Sequence, residues 1–197
     1  CAARSLQRSK EKGTVMAKLK LLVNGESHEL EASETALLLD ALREGLGMTG
    51  TKRGCETSHC GACTVLFDGM AVHSCVVLAA RCEGKEIATV EGLAQDGELN
   101  ELQRLFLKHG ALQCGYCTPG MLMAATALLR RNPKPTLEEI KVGLDGNLCR
   151  CTGYRPIRDA AYALDMPAEN DALAVRRDTP PPAPASTGMV SPEGEFV

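Results

Sequence analysis

The sequence predicts an α+β protein in which a small domain of short strands is followed by an all-helical domain. The dipeptides Asn24-Gly25 and Asp68-Gly69 each separate two short segments of alternating polarity, which is typical of β-hairpins. Near residue 92 the apolar spacing changes to the three- and four-residue intervals of amphipathic helices. Eight of the ten cysteines form two tight groups, one in each half of the chain.

Length and composition bound the domain organisation of the 197 residues. We predict an extension over residues 1–16, a sheet domain over 17–92, a helical domain over 93–165 and a Pro-rich tail over 166–197. The tail is interpreted either as disordered or as an extended arm lying on a partner. The net charge of -3 does not indicate nucleic-acid binding.

The sequence shows no sign of a membrane-spanning segment or a signal peptide. No apolar run approaches the ~18–20 residues of a transmembrane helix. Residues 1–15 are basic and lack the apolar core of a signal peptide, and Met16 resembles a natural start. We therefore expect a cytoplasmic protein without a transmembrane segment.

Six segments of the first domain are predicted to be strands: residues 18–23, 27–31, 64–67, 70–73, 76–80 and 87–90. A short helix is predicted between them because five apolar residues share one helical face: Leu37, Leu38, Ala41, Leu42 and Leu46. Residues 47–63 are rich in glycine and hydroxyl side chains, which indicates a loop. Several short strands around one helix predict a β-grasp-like domain.

The second domain is predicted to contain four short helices. The first includes Leu99, Leu102 and Phe106 and ends at Gly110. The second covers residues 119–131, with Thr118 as its cap and Pro119 at its first position. Residues 136–139 form a capping box that begins the third helix, and the fourth runs from Gly153 to Leu164.

The first cysteine group is Cys55, Cys60, Cys63 and Cys75. Its first three members have the C-x4-C-x2-C spacing of plant-type [2Fe–2S] ferredoxins. Three thiolates on one loop can surround a small cluster only if the loop curls, and Gly54 and Gly61 allow this. Four thiolates can also hold zinc, although zinc sites more often use paired C-x2-4-C knuckles.

The second group is Cys114, Cys117, Cys149 and Cys151. A C-x2-C pair with a distant C-x-C pair is less diagnostic of an iron–sulfur cluster, so zinc is a stronger alternative at the second group than at the first. An iron–sulfur cluster at the first group favours an iron–sulfur cluster at the second group as well, since two redox centres in series make an electron path. Cys1 and Cys82 lie outside both groups, and Cys82 is interpreted as a small buried apolar residue.

Three segments together resemble the small iron–sulfur subunit of the molybdenum hydroxylases, the xanthine oxidase family. They are residues 54–65 (GCETSHCGACTV), 113–120 (QCGYCTPG) and 147–154 (NLCRCTGY). The resemblance covers roughly residues 17–165 and is closest to the bacterial type with separate subunits. Thr57, Ser58 and His59 are most similar to the carbon monoxide dehydrogenase branch of the family.

The resemblance implies a ferredoxin-like domain, a four-helix domain and two [2Fe–2S] clusters held by the eight grouped cysteines. It also implies a large molybdopterin subunit that carries the cytosine dinucleotide form of the cofactor, and a medium FAD subunit, in a dimer of heterotrimers. In this family Gln113 is expected to hydrogen-bond the pterin, and Cys151 to contact it while ligating the second cluster. Gln113 could instead be a polar residue at a helix end. His59 is expected to pack in its loop or to contact a partner rather than to ligate metal, and Tyr116 and Tyr154 are expected to pack around the cluster rather than to act as redox relays.

The resemblance thus implies an electron-transfer subunit of an oxidoreductase complex, with no catalytic residue of its own. Electrons would pass from molybdenum through the cluster of the helical domain and then the cluster of the ferredoxin-like domain to FAD. Two alternatives remain open: a free-standing ferredoxin and a zinc-stabilised interaction module. The substrate is not predicted, because the family's substrate-binding groups lie in the large subunit.

Overall fold

The computed structural model describes residues 16–164. The predicted tail over 166–197, Cys1 and all of the predicted extension except Met16 lie outside the described residues. Among residues 16–164, no helix combines the length and apolarity needed to cross a bilayer.

A five-stranded mixed sheet occupies the first part of the described chain. Its strands are β1 (Met16–Val23), β2 (Glu26–Ser33), β3 (Thr64–Phe67), β4 (Met70–His73) and β5 (Glu86–Ala88), in the order β2-β1-β5-β3-β4. β1 pairs with β5 in parallel, and all other pairs are antiparallel. Both predicted hairpins are confirmed: Asn24, Gly25, Asp68 and Gly69 have positive φ, as tight hairpin turns require.

The predicted helix between β2 and β3 is present but is not a regular α-helix. A short α-helical segment, α1 (Leu38–Asp40), continues as a π-helical turn over Ala41–Gly45. The widened turn ends in a glycine whose Cβ would lie 2.8 Å from Leu30 Cδ1. Together with the sheet, this helical segment encloses an apolar core that includes Leu21, Leu38, Leu42 and Ile87.

The predicted strand at residues 76–80 is wrong. The chain there forms two 3-10 turns, Ser74–Val76 and Ala79–Cys82, and between them Leu78 forms an isolated β-bridge with Leu37. The reason is tertiary: the Leu38 N–H donates to the Val77 carbonyl oxygen at 2.7 Å, and the Ala79 N–H donates to the Ala36 carbonyl oxygen at 2.8 Å. The buried hydroxyl of Ser74 also donates to the Cys63 carbonyl oxygen at 2.8 Å.

Four helices lie in the second part of the described chain: α2 (Glu101–Lys108), α3 (Thr118–Arg131), α4 (Leu137–Leu144) and α5 (Arg155–Tyr162). The capping box of α4 is confirmed, because the Thr136 side chain accepts from the backbone N–H of Glu139. The predicted cap of α3 is wrong. Thr118 is already helical, Cys117 occupies the N-cap position without a side-chain cap bond, and Pro119 lies in the first turn.

The predicted class, a mixed sheet combined with helices, is confirmed. The two parts also share packing, since the helical core includes Leu66 of β3 and Ala88 of β5 alongside buried α3 residues such as Met121 and Met123. This core contains residues from both sides of residue 92. The domain boundary predicted at residue 92 stays a prediction. This packing brings the two cysteine-bearing regions next to each other.

Candidate metal centres

The structure brings the four cysteines of the first group together as two pairs. Cys55 and Cys60 exchange backbone-to-sulfur contacts: the Cys55 N–H lies 3.3 Å from Cys60 Sγ, and the Cys60 N–H lies 3.3 Å from Cys55 Sγ. Cys63 and Cys75 pack against each other in a small buried cluster with Leu39. Cys75 lies in the 3-10 turn Ser74–Val76, and this turn places it beside Cys63.

The loop that carries Cys55 directs hydrogen-bond donors at its sulfur. The backbone N–H groups of Thr57 and His59 lie 3.4 Å and 3.3 Å from Cys55 Sγ. With the Thr57 hydroxyl as the leading cause, these donors lower the pKa of Cys55 to about 5. Cys55 is therefore a thiolate at neutral pH, which is the form that binds metal.

The buried pair of the first group behaves in the opposite way. Burial raises the pKa of Cys63 to about 11, and the neighbouring Cys75 thiol adds to the rise. Two thiolates this close repel each other unless a cation lies between them. A metal bound between these two side chains would supply such a cation.

The second group is assembled by two loops, one before α3 and one between α4 and α5. Cys151 Sγ lies 3.5 Å from Cys114 Sγ at an exposed position. Cys117 and Cys149 form the second pair, deeper in the fold, with their side chains in hydrogen-bonding contact. All four predicted members of this group thus come together, again as two pairs.

The pKa values in the second group also reflect burial and crowding. Burial, followed by the neighbouring Cys149, raises the pKa of Cys117 to about 12. Burial disfavours ionisation of Cys149 too, but the hydroxyl and N–H of Thr152 outweigh it and lower its pKa. Contact with Cys114 raises the pKa of Cys151.

The pairing of thiols fits a two-iron cluster better than a single metal ion. A [2Fe–2S] cluster held by four cysteines needs two thiolates at each iron. The Thr118 hydroxyl, one residue after Cys117, is buried and has no hydrogen-bond partner in the described part of the chain. A sulfur of a bound cluster would accept from it.

Two tyrosines hold the cysteine loops in place, a role that goes beyond the packing predicted for them. The Tyr116 hydroxyl donates to the Arg53 carbonyl oxygen at 2.6 Å and so ties the second group's loop to the first group's loop. The Tyr154 hydroxyl accepts from the Cys149 N–H at 2.9 Å. Arg53 itself forms ion pairs with Asp40, Glu44 and Glu56.

The remaining predicted residues lie as follows. Gln113 is exposed beside the exposed Cys114, and His59 is exposed with its ring nitrogen 3.0 Å from the Thr57 hydroxyl. Cys82 is fully buried, and its thiol donates to the Leu78 carbonyl oxygen at 3.5 Å.

One buried polar residue near both groups was not singled out from the sequence. Asn147 is only 4% exposed, and its amide contacts the first group's loop. The signal available in the sequence was its position two residues before Cys149.

Two family models match the chain and together cover both cysteine groups. Residues 21–94 match a 2Fe-2S iron-sulfur cluster binding domain, and residues 89–162 match a [2Fe-2S] binding domain. The sheet with its cysteine loop and the following helices therefore define an iron–sulfur protein of ferredoxin-like fold.

Relatives narrow this class to a family. The nicotinate dehydrogenase small FeS subunit of Eubacterium barkeri is 50% identical over 75% of this chain and 94% of its own length. The xanthine dehydrogenase iron-sulfur-binding subunit of Escherichia coli O157:H7 is 50% identical over 71% of this chain and 88% of its own length. A chain of quinoline 2-oxidoreductase from Pseudomonas putida 86 is 47% identical, with a TM-score of 0.74 over 75% of this chain and 91% of that one. The chain belongs to the family of small iron–sulfur subunits of the molybdenum hydroxylases.

Proposed function

We propose that this chain is the electron-transfer subunit of a molybdenum hydroxylase and holds one [2Fe–2S] cluster in each cysteine group. The observation that supports this most directly is the pairing of thiols, which occurs in both groups. When bound, such clusters supply one-electron redox chemistry. Cys55, Cys60, Cys63 and Cys75 would hold one cluster, and Cys114, Cys117, Cys149 and Cys151 the other.

The protein's own groups prepare these positions. Backbone N–H groups directed at Cys55 Sγ stabilise negative charge on sulfur, and hydrogen bonds to sulfur tune a cluster's potential. Burial of Cys63, Cys75 and Cys149 keeps water from one side of each site. We propose no catalytic residue in this chain, because bond chemistry on the substrate would belong to a partner.

The exposed edge of the second group favours a subunit over a free carrier. Cys114 and Cys151 are exposed, and so are the large side chains of Tyr116 and Leu148 beside them, at 50% and 56%. Exposed apolar surface around a redox site is typical of a contact with another protein. We propose that a large molybdopterin subunit, carrying the cytosine dinucleotide form, covers this edge and that an FAD subunit accepts electrons from the first group.

Four finer assignments belong to the same proposal. They are the division at residue 92, the cytoplasmic location, the dimer of heterotrimers and the similarity to carbon monoxide dehydrogenase. Each stays a prediction.

Metal analysis and EPR spectroscopy test the proposal together. The purified protein should contain about four iron atoms per chain, and reduction should produce two rhombic EPR signals. Stoichiometric zinc without an EPR signal would instead identify a zinc-stabilised module.

Gln113 is proposed to hydrogen-bond the pterin, since an amide offers both a donor and an acceptor. Loss of one partner of a buried hydrogen bond costs roughly 1–3 kcal/mol, so Gln113→Ala should slow substrate-driven reduction of the second cluster. Iron content and reduction by dithionite should not change. Gln95→Ala replaces another exposed glutamine away from the cysteines and serves as the control. If substrate reduces the second cluster of Gln113→Ala at the normal rate, Gln113 is only a polar loop residue.

A further inference from the structure

The two cysteine groups meet at a buried junction formed by three segments. These are the loop at Gly61, the first turn of α3 at Gly120, and the turn at Gly146 and Asn147 after α4. Each segment also carries cysteines: Gly61 follows Cys60, Gly120 lies three residues after Cys117, and Asn147 lies two residues before Cys149. The position of one group relative to the other therefore depends on how these segments contact each other.

The Asn147 side chain bridges the junction. It is 4% exposed, and its amide nitrogen donates to the Gly61 carbonyl oxygen at 2.8 Å and to the Thr64 hydroxyl at 3.2 Å. The Thr64 hydroxyl in turn donates to the same Gly61 carbonyl at 2.6 Å, which leaves its lone pairs free to accept from Asn147. Both N–H groups of the amide are thus used across the junction.

At the junction the backbone segments lie so close to one another that only glycine fits at Gly61 and Gly120. A Cβ at Gly61 would overlap the carbonyl oxygen of Gly146, and a Cβ at Gly120 would overlap the carbonyl oxygen of Gly61. Gly61 also has a φ of 68°, which other residues rarely adopt. The Leu148 N–H donates to the Cys60 carbonyl oxygen at 2.9 Å and completes the contact.

We propose that Asn147 is a positioning residue that fixes the distance between the two redox centres. The inference rests on the proposed function, because it requires both cysteine groups to hold paramagnetic centres when reduced. Electron exchange between two centres, in which one loses the single electron that the other gains, slows steeply as their separation grows. By holding Gly61 and Thr64 against the turn that precedes Cys149, Asn147 keeps that separation short and constant.

The first test compares Asn147→Leu with wild type in the cluster-loaded protein. Leucine has a similar size but cannot donate, so the Gly61 carbonyl loses a buried donor. We expect about four iron atoms per chain, a weaker or broader magnetic splitting between the two reduced centres in EPR, and slower electron exchange between them. Iron content and EPR signals of wild type test the proposed function, whereas the difference between variant and wild type tests the role of Asn147.

Asn100→Leu is the matched control for lost stability. Asn100 forms the capping box of α2, so its replacement also removes partly buried hydrogen bonds, but at a position away in sequence from both cysteine groups. The control should unfold at a lower temperature while retaining the wild-type splitting. If Asn147→Leu keeps the wild-type splitting and exchange rate, Asn147 serves stability alone and the proposal is overturned.

A milder pair of variants decides the question if Asn147→Leu fails to assemble its clusters. Thr64→Val removes one of the two acceptors of Asn147 at nearly constant volume, and Thr64→Ser restores the hydroxyl. A reduced splitting in Thr64→Val that returns in Thr64→Ser supports the proposal. Equal splitting in both variants would contradict it.

Discussion

Burial raises the pKa of two cysteines, Cys63 and Cys82, whose surroundings differ. Cys63 and Cys82 are 2% and 0% exposed, and burial raises the pKa of each to about 11. Cys63 contacts Cys75 in the first group, whereas Cys82 packs in the sheet core with residues such as Val65 and Ile87. Burial and pKa alone therefore do not distinguish a ligand from a core residue, but the neighbouring thiols do.

The difference predicts opposite outcomes for two chemically identical substitutions. Cys82→Ser should leave iron content and both EPR signals unchanged, because the serine hydroxyl can still donate to the Leu78 carbonyl oxygen. Cys63→Ser should lose the iron of the first group, about half of the total, and its EPR signal. Iron analysis of the two purified variants provides the measurement. Loss of half the iron in Cys82→Ser would show that the ligand assignment is wrong.

At the scale of elements, helix ends position the loops of the second group. α4 leads directly into the turn that contains Asn147 and Cys149, and the capping box at Thr136 and Glu139 defines its start. The Glu139 carboxylate accepts from the Thr136 backbone N–H at 2.7 Å and from the Thr136 hydroxyl at 2.8 Å. These bonds lower the pKa of Glu139 below its usual value.

Thr136→Ala should reduce the free energy of unfolding by about 1 kcal/mol, the usual effect of losing an N-cap. The contribution of Glu139 should depend on pH. Because its folded pKa is depressed, it stabilises the fold above the normal glutamate pKa and loses that effect as pH falls through the folded pKa. Urea unfolding at several pH values should therefore show a gap between wild type and Thr136→Ala that narrows in acid. Thr136→Ser, which keeps the hydroxyl, should follow wild type, and a pH-independent gap would contradict this account.

At the scale of the whole molecule, the two cysteine groups lie in neighbouring regions, since Leu66 and Ala88 of the sheet pack into the helical core, but the groups differ in exposure. In the second group Cys114 and Cys151 are exposed, whereas in the first group Cys63 and Cys75 are buried and Cys55 and Cys60 are partly so. The second group is thus more open to another protein. This difference matches the proposed order, in which the molybdopterin subunit contacts the second group.

A tagged form of the chain, expressed with its native neighbours, should co-purify with a molybdopterin subunit and a flavoprotein. The expectation follows from the exposed apolar side chains beside Cys114 and Cys151, which a partner would cover. Cofactor analysis of the purified complex, together with the masses of its subunits, provides the measurement. A stable monomer that transfers electrons at full rate on its own would favour the free ferredoxin.

The features that the sequence alone determined are those that depend on neighbouring residues. The hairpin turns at Asn24-Gly25 and Asp68-Gly69 follow from residues that tolerate positive φ. The start of α4 follows from a capping box within four consecutive residues. The membership of each cysteine group followed from spacing together with the family resemblance, and the structure places the same cysteines together.

Tertiary structure decided the features that depend on contacts between distant segments. The segment predicted as a strand at residues 76–80 forms 3-10 turns, and its backbone is held by residues far earlier in the chain: the Leu38 N–H donates to the Val77 carbonyl oxygen, and the Ala79 N–H donates to the Ala36 carbonyl oxygen. The pairing of thiols within each group and the bridge from Asn147 to Gly61 join residues up to 86 positions apart. Local propensity carries no information about such contacts, because their energies depend on how the sheet and helices pack against each other.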